Sequence, residues 1–481
     1  MTDLLDATEL DSSDRTEART RTRRHVPVVC AVLGFALFAL LVLLKSPALL
    51  EPDDYAYRAS IAALSHGQIL LSNAQYHALA TQLASNGGQG ILQWHHMASG
   101  KWISEKNPGY PFFAVLFYMI HALRLAPLFY GALACVGLFL GARAWLGRWA
   151  GTYAVWLFCL SGAALTFAWR ATMASFTDAS LIACGFGTLL WVAMTPQATP
   201  RRRRAIGLVG FLALEGAVFI RYTNIIELLV VVLATLVLGR RVALSWRTIA
   251  TWMSSVVLFG VGVLAFDAWA YGHATSTGYS PGEISFSLAS LWPNLKGMPT
   301  QLTTSMPLWL LAAASCTWIT VRLIRSRRRG GPLTTEVRRD AAVAGVLAVG
   351  WLALWLLYLN YTWTVSMVGG HGGPGGGVTV HVIRFYIPAL GPIALLGTWL
   401  LVRLRSWMSW TALAAFALAG LLSFNAMAST SAGGAIPGGG FGGRIGPPSL
   451  GTHHGAPSLR GGPGATSKGF GGRPPGGPPP S

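Results

Sequence analysis

The sequence predicts an all-α polytopic membrane protein of about 11–12 transmembrane helices. Three observations predict it. Charge-free apolar runs recur from residue 26 to residue 424. The mean hydropathy is +0.49 with only 11% charged residues, too apolar for an ordinary soluble domain. Short basic blocks alternate with loops poor in charge, although the 481-residue chain carries a net +19. Basic blocks packed between apolar runs mark the loops of one membrane side, so the charge does not read as nucleic-acid binding.

The elements follow in order. Residues 1–25 are polar and end in RTRTRRH, which makes a cytoplasmic Arg-rich N-terminus. Val26–Leu44 has no charge over 19 residues, long enough for an uncleaved first span. Further spans are expected near 110–142, 151–168, 178–195, 205–220, 225–239, 250–270, 306–323, 341–361, 386–402 and 407–424. A span must satisfy its own backbone hydrogen bonds, so these are helices. The stretch 110–142 reads as two short helices or as one span plus a surface helix; two full crossings would put Arg143 and Arg148 on the wrong side.

Positive-inside places Arg201–Arg204, Arg240/Arg241/Arg247, the 325–329 block with Arg338/Arg339, and Arg403/Arg405 in the cytoplasm. The loops 45–109, 169–177, 221–224, 271–305 and 362–385 then face outward, as does the chain after 424. The first of these, 45–109, carries amphipathic stretches at YRASIAALSHGQIL and YHALATQLAS, expected as surface helices. Residues 425–481, Gly/Pro-rich without a strict third-residue period, are expected as a disordered extracytoplasmic tail outside the 26–424 domain. Cys30, Cys135, Cys159, Cys184 and Cys316 all lie in apolar runs without a CxxC pair, which excludes a zinc site or a disulfide framework by spacing.

The chemistry-bearing residues gather in the outward loops. Asp53 and Asp54 open the first loop in EPDDYAY, and Glu105 and Lys106 close it in SEKNPGYPFF. Asp178 lies in SFTDASL, Arg221 in FIRYTN, and Arg384 in HVIRFYIPAL. Each has a plain structural reading: Asp53, Asp54 and Asp178 as helix caps, Lys106 snorkelling, Arg384 as a lipid anchor. Glu215 and Glu227 read as paired or near helix ends. The adjacent His95 and His96 cannot share a metal from a helix. GGHGGPGGG at 369–377 lacks the strand and GK[ST] of a nucleotide loop and reads as a flexible outer loop or lid. Carboxylates with Lys and Arg at one face nonetheless suit a definite reaction: a carboxylate takes a proton from a hydroxyl while cations hold a phosphate leaving group.

These motifs, in this order, resemble the GT-C-fold membrane glycosyltransferases, in particular the protein O-mannosyltransferases and lipid A aminoarabinose transferases. The resemblance rests on Asp53-Asp54-Tyr55-Ala56-Tyr57, Glu105–Pro111, Thr177-Asp178-Ala179, Arg221–Asn224, Tyr271–Tyr279 and Arg384–Leu390. It implies an inverting sugar transfer from a polyprenyl-phosphate donor to a hydroxyl acceptor at the outer face of the lipid bilayer. It further implies Asp53 as general base, Asp54 and Asp178 as supporting acids and candidate ligands of a divalent cation, and Lys106 and Arg384 as phosphate contacts. Tyr57, Glu105, Arg221, Asn224 and Tyr279 are the substrate or structural positions. Two departures stand out: the second acid is Asp54 where the family also uses Glu, and Asn107 separates Lys106 from Pro108.

Two other readings compete. A transporter or flippase would carry its polar groups near the bilayer midplane, often in paired repeats, and the sequence has no such repeat. A scaffold would use the spans only to display the tail.

Overall fold

The computed structural model describes residues 25–46, 52–85, 91–279, 284–328, 332–368 and 382–433. The chain divides into Met1–Pro447 and Pro448–Ser481; the second unit lies outside the described residues, as does the expected lid at 369–377.

The first span is α1 (His25–Leu44). The first outer loop holds α2 (Pro52–Ser65), α3 (Asn73–Ser85) and an antiparallel hairpin of β1 (Trp94–His96) and β2 (Trp102–Ser104). Both helices fall where the amphipathic stretches lie, but they differ in burial. In α2 Asp54–Ala59 and Ile61–Ala63 are buried, whereas α3 buries only Leu79 and Leu83. The hairpin is absent from the sequence reading. It turns at Gly100, whose φ of 76° suits glycine, and Tyr76 of α3 stacks on Trp102 at 3.9 Å.

The ambiguous stretch resolves into α4 (Gly109–Met119) and α5 (Leu125–Leu146). Arg124, just before α5, donates to Val42 O and Leu43 O at the C-terminal end of α1. The next helices, α6 (Ala150–Cys159) and α7 (Gly162–Trp169), form a span bent by 57°. Thr152 Oγ1 donates to Pro27 O, while Trp169 Nε1 donates to Ser46 O. Thus α5 starts beside the end of α1, and α6 starts beside its beginning. A single crossing by α5 therefore carries Arg143 and Arg148 to the N-terminal end of α1, as the charge rule requires, and α4 stays at the other level.

The rest is α8 (Ser175–Met194), α9 (Pro200–Ile220), α10 (Ile225–Leu238), α11 (Trp246–Tyr271), α12 (Leu291–Ser305), α13 (Trp309–Arg328), α14 (Thr335–Leu359), α15 (Thr362–Val368), α16 (Leu390–Leu401) and α17 (Ser406–Gly433). Six helices are long and apolar enough to cross a membrane, and eight segments are if each bent pair counts as one span. The helices α4, α10 and α16 are shorter apolar helices. The last helix also corrects a boundary: residues 425–433, assigned to the tail, continue α17.

Helices α5 and α8 cross closely because glycines face each other. A Cβ on Gly141 would sit 2.3 Å from Gly187 O, and one on Gly137 would sit 2.8 Å from Cys184 O. Small residues let helix backbones approach where lipid offers no hydrophobic drive to associate. That contact, with the α7–α8 turn above it, fixes the platform on which the site is built.

Candidate active site

Five segments meet at the end of the bundle opposite the basic blocks: the first turn of α2, the chain just before α4, the α7–α8 turn, the α9–α10 turn and the turn before α16. Asp53 lies between two cations. Lys106 Nζ is 3.1 Å from its Oδ1, and Arg384 Nη1 is 2.6 Å from its Oδ2. Lys106 Nζ also donates to Tyr279 Oη at 3.0 Å. The Arg384 guanidinium stacks over Phe385 and Trp363, 4.8 and 5.2 Å from the ring centroids. Tyr57, one helical turn after Asp53, is buried edge-on against Tyr110.

Asp54 points elsewhere. Its carboxylate is fully buried, paired with the equally buried Arg170 and accepting from Thr172 Oγ1 at 3.0 Å. Tyr110 Oη fastens the same turn by donating to Ala171 O. Asp178 forms a third group: Arg221 Nε lies 3.5 Å from its Oδ2, and Asn224 Nδ2 donates to that oxygen at 3.4 Å. Arg221 joins this group to the first, donating to Arg384 O at 2.9 Å and to Ser175 Oγ at 3.1 Å. Each acid therefore has its own arginine. Their exposures separate them: the Asp53 side chain is 13% exposed, whereas Asp54 and Asp178 are at 0%.

Glu105 contributes through its backbone. Its N–H donates to Gln93 O, and its Cα backs onto Gly278, where a Cβ would come within 2.6 Å. Gly278 is thus required for the 276–279 segment to lie against Glu105, next to Lys106, and deliver Tyr279. Burial, then the nearby Asp53 carboxylate, push the Tyr279 hydroxyl above its ordinary titration range; burial does the same to Tyr57.

The carboxylates do not fit a divalent cation. Both oxygens of Asp54 are engaged by Arg170 and Thr172, and Asp178 faces Arg221. A cation would have to displace arginines, and among the described residues no three His, Cys, Asp or Glu side chains gather as ligands. Glu215 is paired, accepting from Ser255 Oγ at 2.9 Å. Glu227 lies in the first turn of α10, near a helix end as expected. It is fully buried, and neither carboxylate oxygen has a hydrogen-bond partner among the described residues. Arg170 and Thr172 were missed by sequence reasoning. Their signal was an arginine at a span end, in WRATMAS, seven residues before the TDA segment.

The chain has the GT-C fold. The archaeal oligosaccharyltransferase AglB from Archaeoglobus fulgidus, in complex with an inhibitory peptide and a dolichol-phosphate, matches with TM-score 0.50 and 11% identity, over 87% of this chain and 56% of that one. ArnT from Cupriavidus metallidurans matches at 17% identity in two states. The apo form gives TM-score 0.48 over 82% of this chain and 64% of that one, and the form bound to undecaprenyl phosphate gives 0.45 over 80% and 61%. The chain spans less than two thirds of the length of each. No family model matches the sequence, and no curated protein matches it.

Proposed function

We propose that this chain is an integral-membrane, inverting glycosyltransferase that moves a sugar from a polyprenyl-phosphate donor to an acceptor hydroxyl on the extracytoplasmic face. The observation that carries the reading is the partly accessible Asp53 carboxylate held between Lys106 and Arg384. The dolichol-phosphate in the AglB structure supports a lipid phosphate as the donor's carrier.

In the reaction, Asp53 takes the proton of the acceptor hydroxyl as its oxygen attacks the anomeric carbon from the face opposite the phosphate. The bond from that carbon to the phosphate oxygen breaks, and the configuration inverts. Lys106 and Arg384 hold the charge that develops on the departing polyprenyl phosphate. The same two cations pair with Asp53, so a phosphate bound to them competes with the base for their charge. Asp54 and Asp178 act from behind, each fixing one turn that carries a reacting group. The basic blocks on the opposite end support a cytoplasmic N-terminus and an outward-facing site.

Asp53→Asn is expected to insert and fold, to bind undecaprenyl phosphate, and to lose transfer by roughly 10²–10⁴-fold. Full turnover by this variant, followed by release of polyprenyl phosphate, would sink the assignment of the base. Movement of the lipid-linked sugar across reconstituted vesicles without a covalent product would instead identify a flippase.

A further inference from the structure

Each cation on Asp53 also lies against an aromatic ring. The Arg384 guanidinium carbon is 4.8 Å from the Phe385 ring centroid and 5.2 Å from that of Trp363. Lys106 Nζ is 4.9 Å from the Tyr279 ring centroid. Phe385 comes with Arg384 in the chain, whereas Trp363 is brought from α15. Its place is fixed by the chain around the start of α12. Ser287 N donates to Asn360 O at 2.7 Å, Thr362 N donates to Ser285 O at 3.1 Å, and Asn294 Nδ2 donates to Leu359 O and Tyr361 O. Tyr361 then stacks on Trp363 with centroids 6.1 Å apart and meets Phe385 edge-on at 5.3 Å. Trp363 and Phe385 stand at 76° to each other, 5.7 Å apart, so the guanidinium sits in the corner between two rings.

We propose that Trp363 and Phe385 form an aromatic seat for Arg384, and that Trp363 is a positioning residue for binding of the donor's phosphate. The inference rests on the transferase reading above, in which Arg384 turns from Asp53 to the phosphate. A carboxylate and a phosphate compete for the same N–H donors. A ring does not: it attracts the cation through the negative potential of its face and offers no acceptor oxygen. The seat therefore keeps its hold on Arg384 while one anion replaces the other. A long side chain with many rotamers would otherwise have to be ordered at each binding event, and a cation already in place avoids that cost. Lysine does not substitute at this position, because an ammonium has no planar surface to lie against the rings. Phe385 serves a second arginine as well, with the Arg221 guanidinium 5.6 Å from its centroid, so Trp363 is the ring that reports on Arg384 alone.

The test uses the full chain in nanodiscs, with undecaprenyl phosphate as the probe. Trp363→Leu keeps an apolar side chain and removes the ring; it should weaken affinity by about fivefold or more, the range of one partly desolvated cation–π contact. Trp363→Phe restores a ring face and should bind within about twofold of wild type. Arg384→Lys should also weaken binding, and adding Trp363→Leu to it should cost little more, since both changes remove the same contact. A second readout does not depend on the donor. Modification of Arg384 by phenylglyoxal, followed by peptide mass, should run several times faster in Trp363→Leu than in wild type or Trp363→Phe. Wild-type affinity in Trp363→Leu, equal losses in the Leu and Phe variants, or an unchanged phenylglyoxal rate would each overturn the seat. An Arg384→Gln variant that binds undecaprenyl phosphate as wild type does, beside a phenylglyoxal rate that rises as expected, would count against the phosphate contact and leave the seat standing.

Discussion

Asp54→Asn tests what holds the reacting acid in place. Asp54 and Arg170 are both fully buried, and Thr172 contributes a hydrogen bond to the carboxylate at 3.0 Å. Removing the carboxylate charge takes from the buried guanidinium the counter-ion that Asp54 supplies. Breaking such a pair costs about 3–5 kcal/mol, because the desolvated charge that remains is uncompensated. Thr172→Val removes only a neutral donor and should cost about 1–2 kcal/mol, hydrogen bonds to a charged acceptor being at the upper end of the usual range. The double variant Asp54→Leu/Arg170→Met removes both charges and should recover most of the loss, since apolar replacement of a buried pair is often neutral or stabilising. Thermal unfolding in detergent, followed by retention of monodisperse protein, compares the wild type with these three variants. Asp54 is a positioning residue here: it pins the first turn of α2 to the α7–α8 turn, so the folded double variant should keep transfer within about tenfold of wild type. Two results would refute the reasoning. One is an Asp54→Asn variant that costs less than about 1 kcal/mol, which a broken buried ion pair does not allow. The other is a stable double variant with no transfer, which would put Asp54 in the chemistry itself.

Three further outcomes follow from the same geometry. Gly278→Ala must push the 276–279 segment off Glu105, since its Cβ would lie 2.6 Å from the Glu105 Cα. Tyr279 then leaves Lys106, and undecaprenyl-phosphate affinity should fall by roughly tenfold; an unchanged dissociation constant would contradict the close approach. At the opposite end, Asp340 is buried and accepts from Trp145 Nε1 at 3.0 Å, Trp399 Nε1 at 2.9 Å and Arg403 Nη2 at 2.5 Å. Asp340→Ala orphans two indoles and takes from Arg403 its shortest partner, leaving it Glu336 Oε1 at 3.3 Å, so stability should drop by about 2 kcal/mol or more while phosphate affinity per folded molecule stays at the wild-type value. Tyr57 and Tyr279 titrate above their ordinary range in the folded protein, so above pH about 10 the folded state binds more protons than the unfolded one. The contribution is fully present below that pH and is lost as pH rises beyond it; Tyr57→Phe should flatten the decline, and a melting temperature that climbs through this window would reverse the sign.

Much of the fold could be read because lipid simplifies the physics. A span must be helical, apolar and long, and the charge rule gives alternate ends, so composition alone located α1, α8, α11 and α14. Composition carries no direction, however. The 110–142 stretch was ambiguous because hydropathy cannot see the reversal at His121, which takes a φ of 58°. It also cannot see Arg124 reaching the end of α1. The hairpin escaped because three-residue strands are too short to display alternation. At the other extreme, α17 outlasted its apolar run: NAMASTSA is built from residues that a helix tolerates well, and the helix ends only where glycines begin.

The site was legible as a set of residues on one face, but not as a set of pairs. Arg170 looked like any arginine at a span end until the α7–α8 turn brought it under Asp54. The two adjacent acids posed a problem that helix geometry resolves. Successive residues on a helix point about 100° apart, so Asp53 and Asp54 in the first turn of α2 cannot serve the same partner. One carboxylate had to face the bundle and the other its rim. Burial selected Asp54 for the inward direction, where only a matched guanidinium makes a charge tolerable. Asp53 was left at the rim between Lys106 and Arg384, the one acid of the three with exposed surface through which a hydroxyl can approach. In the proposed reaction, the pairing of EPDD therefore separates two tasks that one carboxylate could not perform together: anchoring the helix and reaching the substrate.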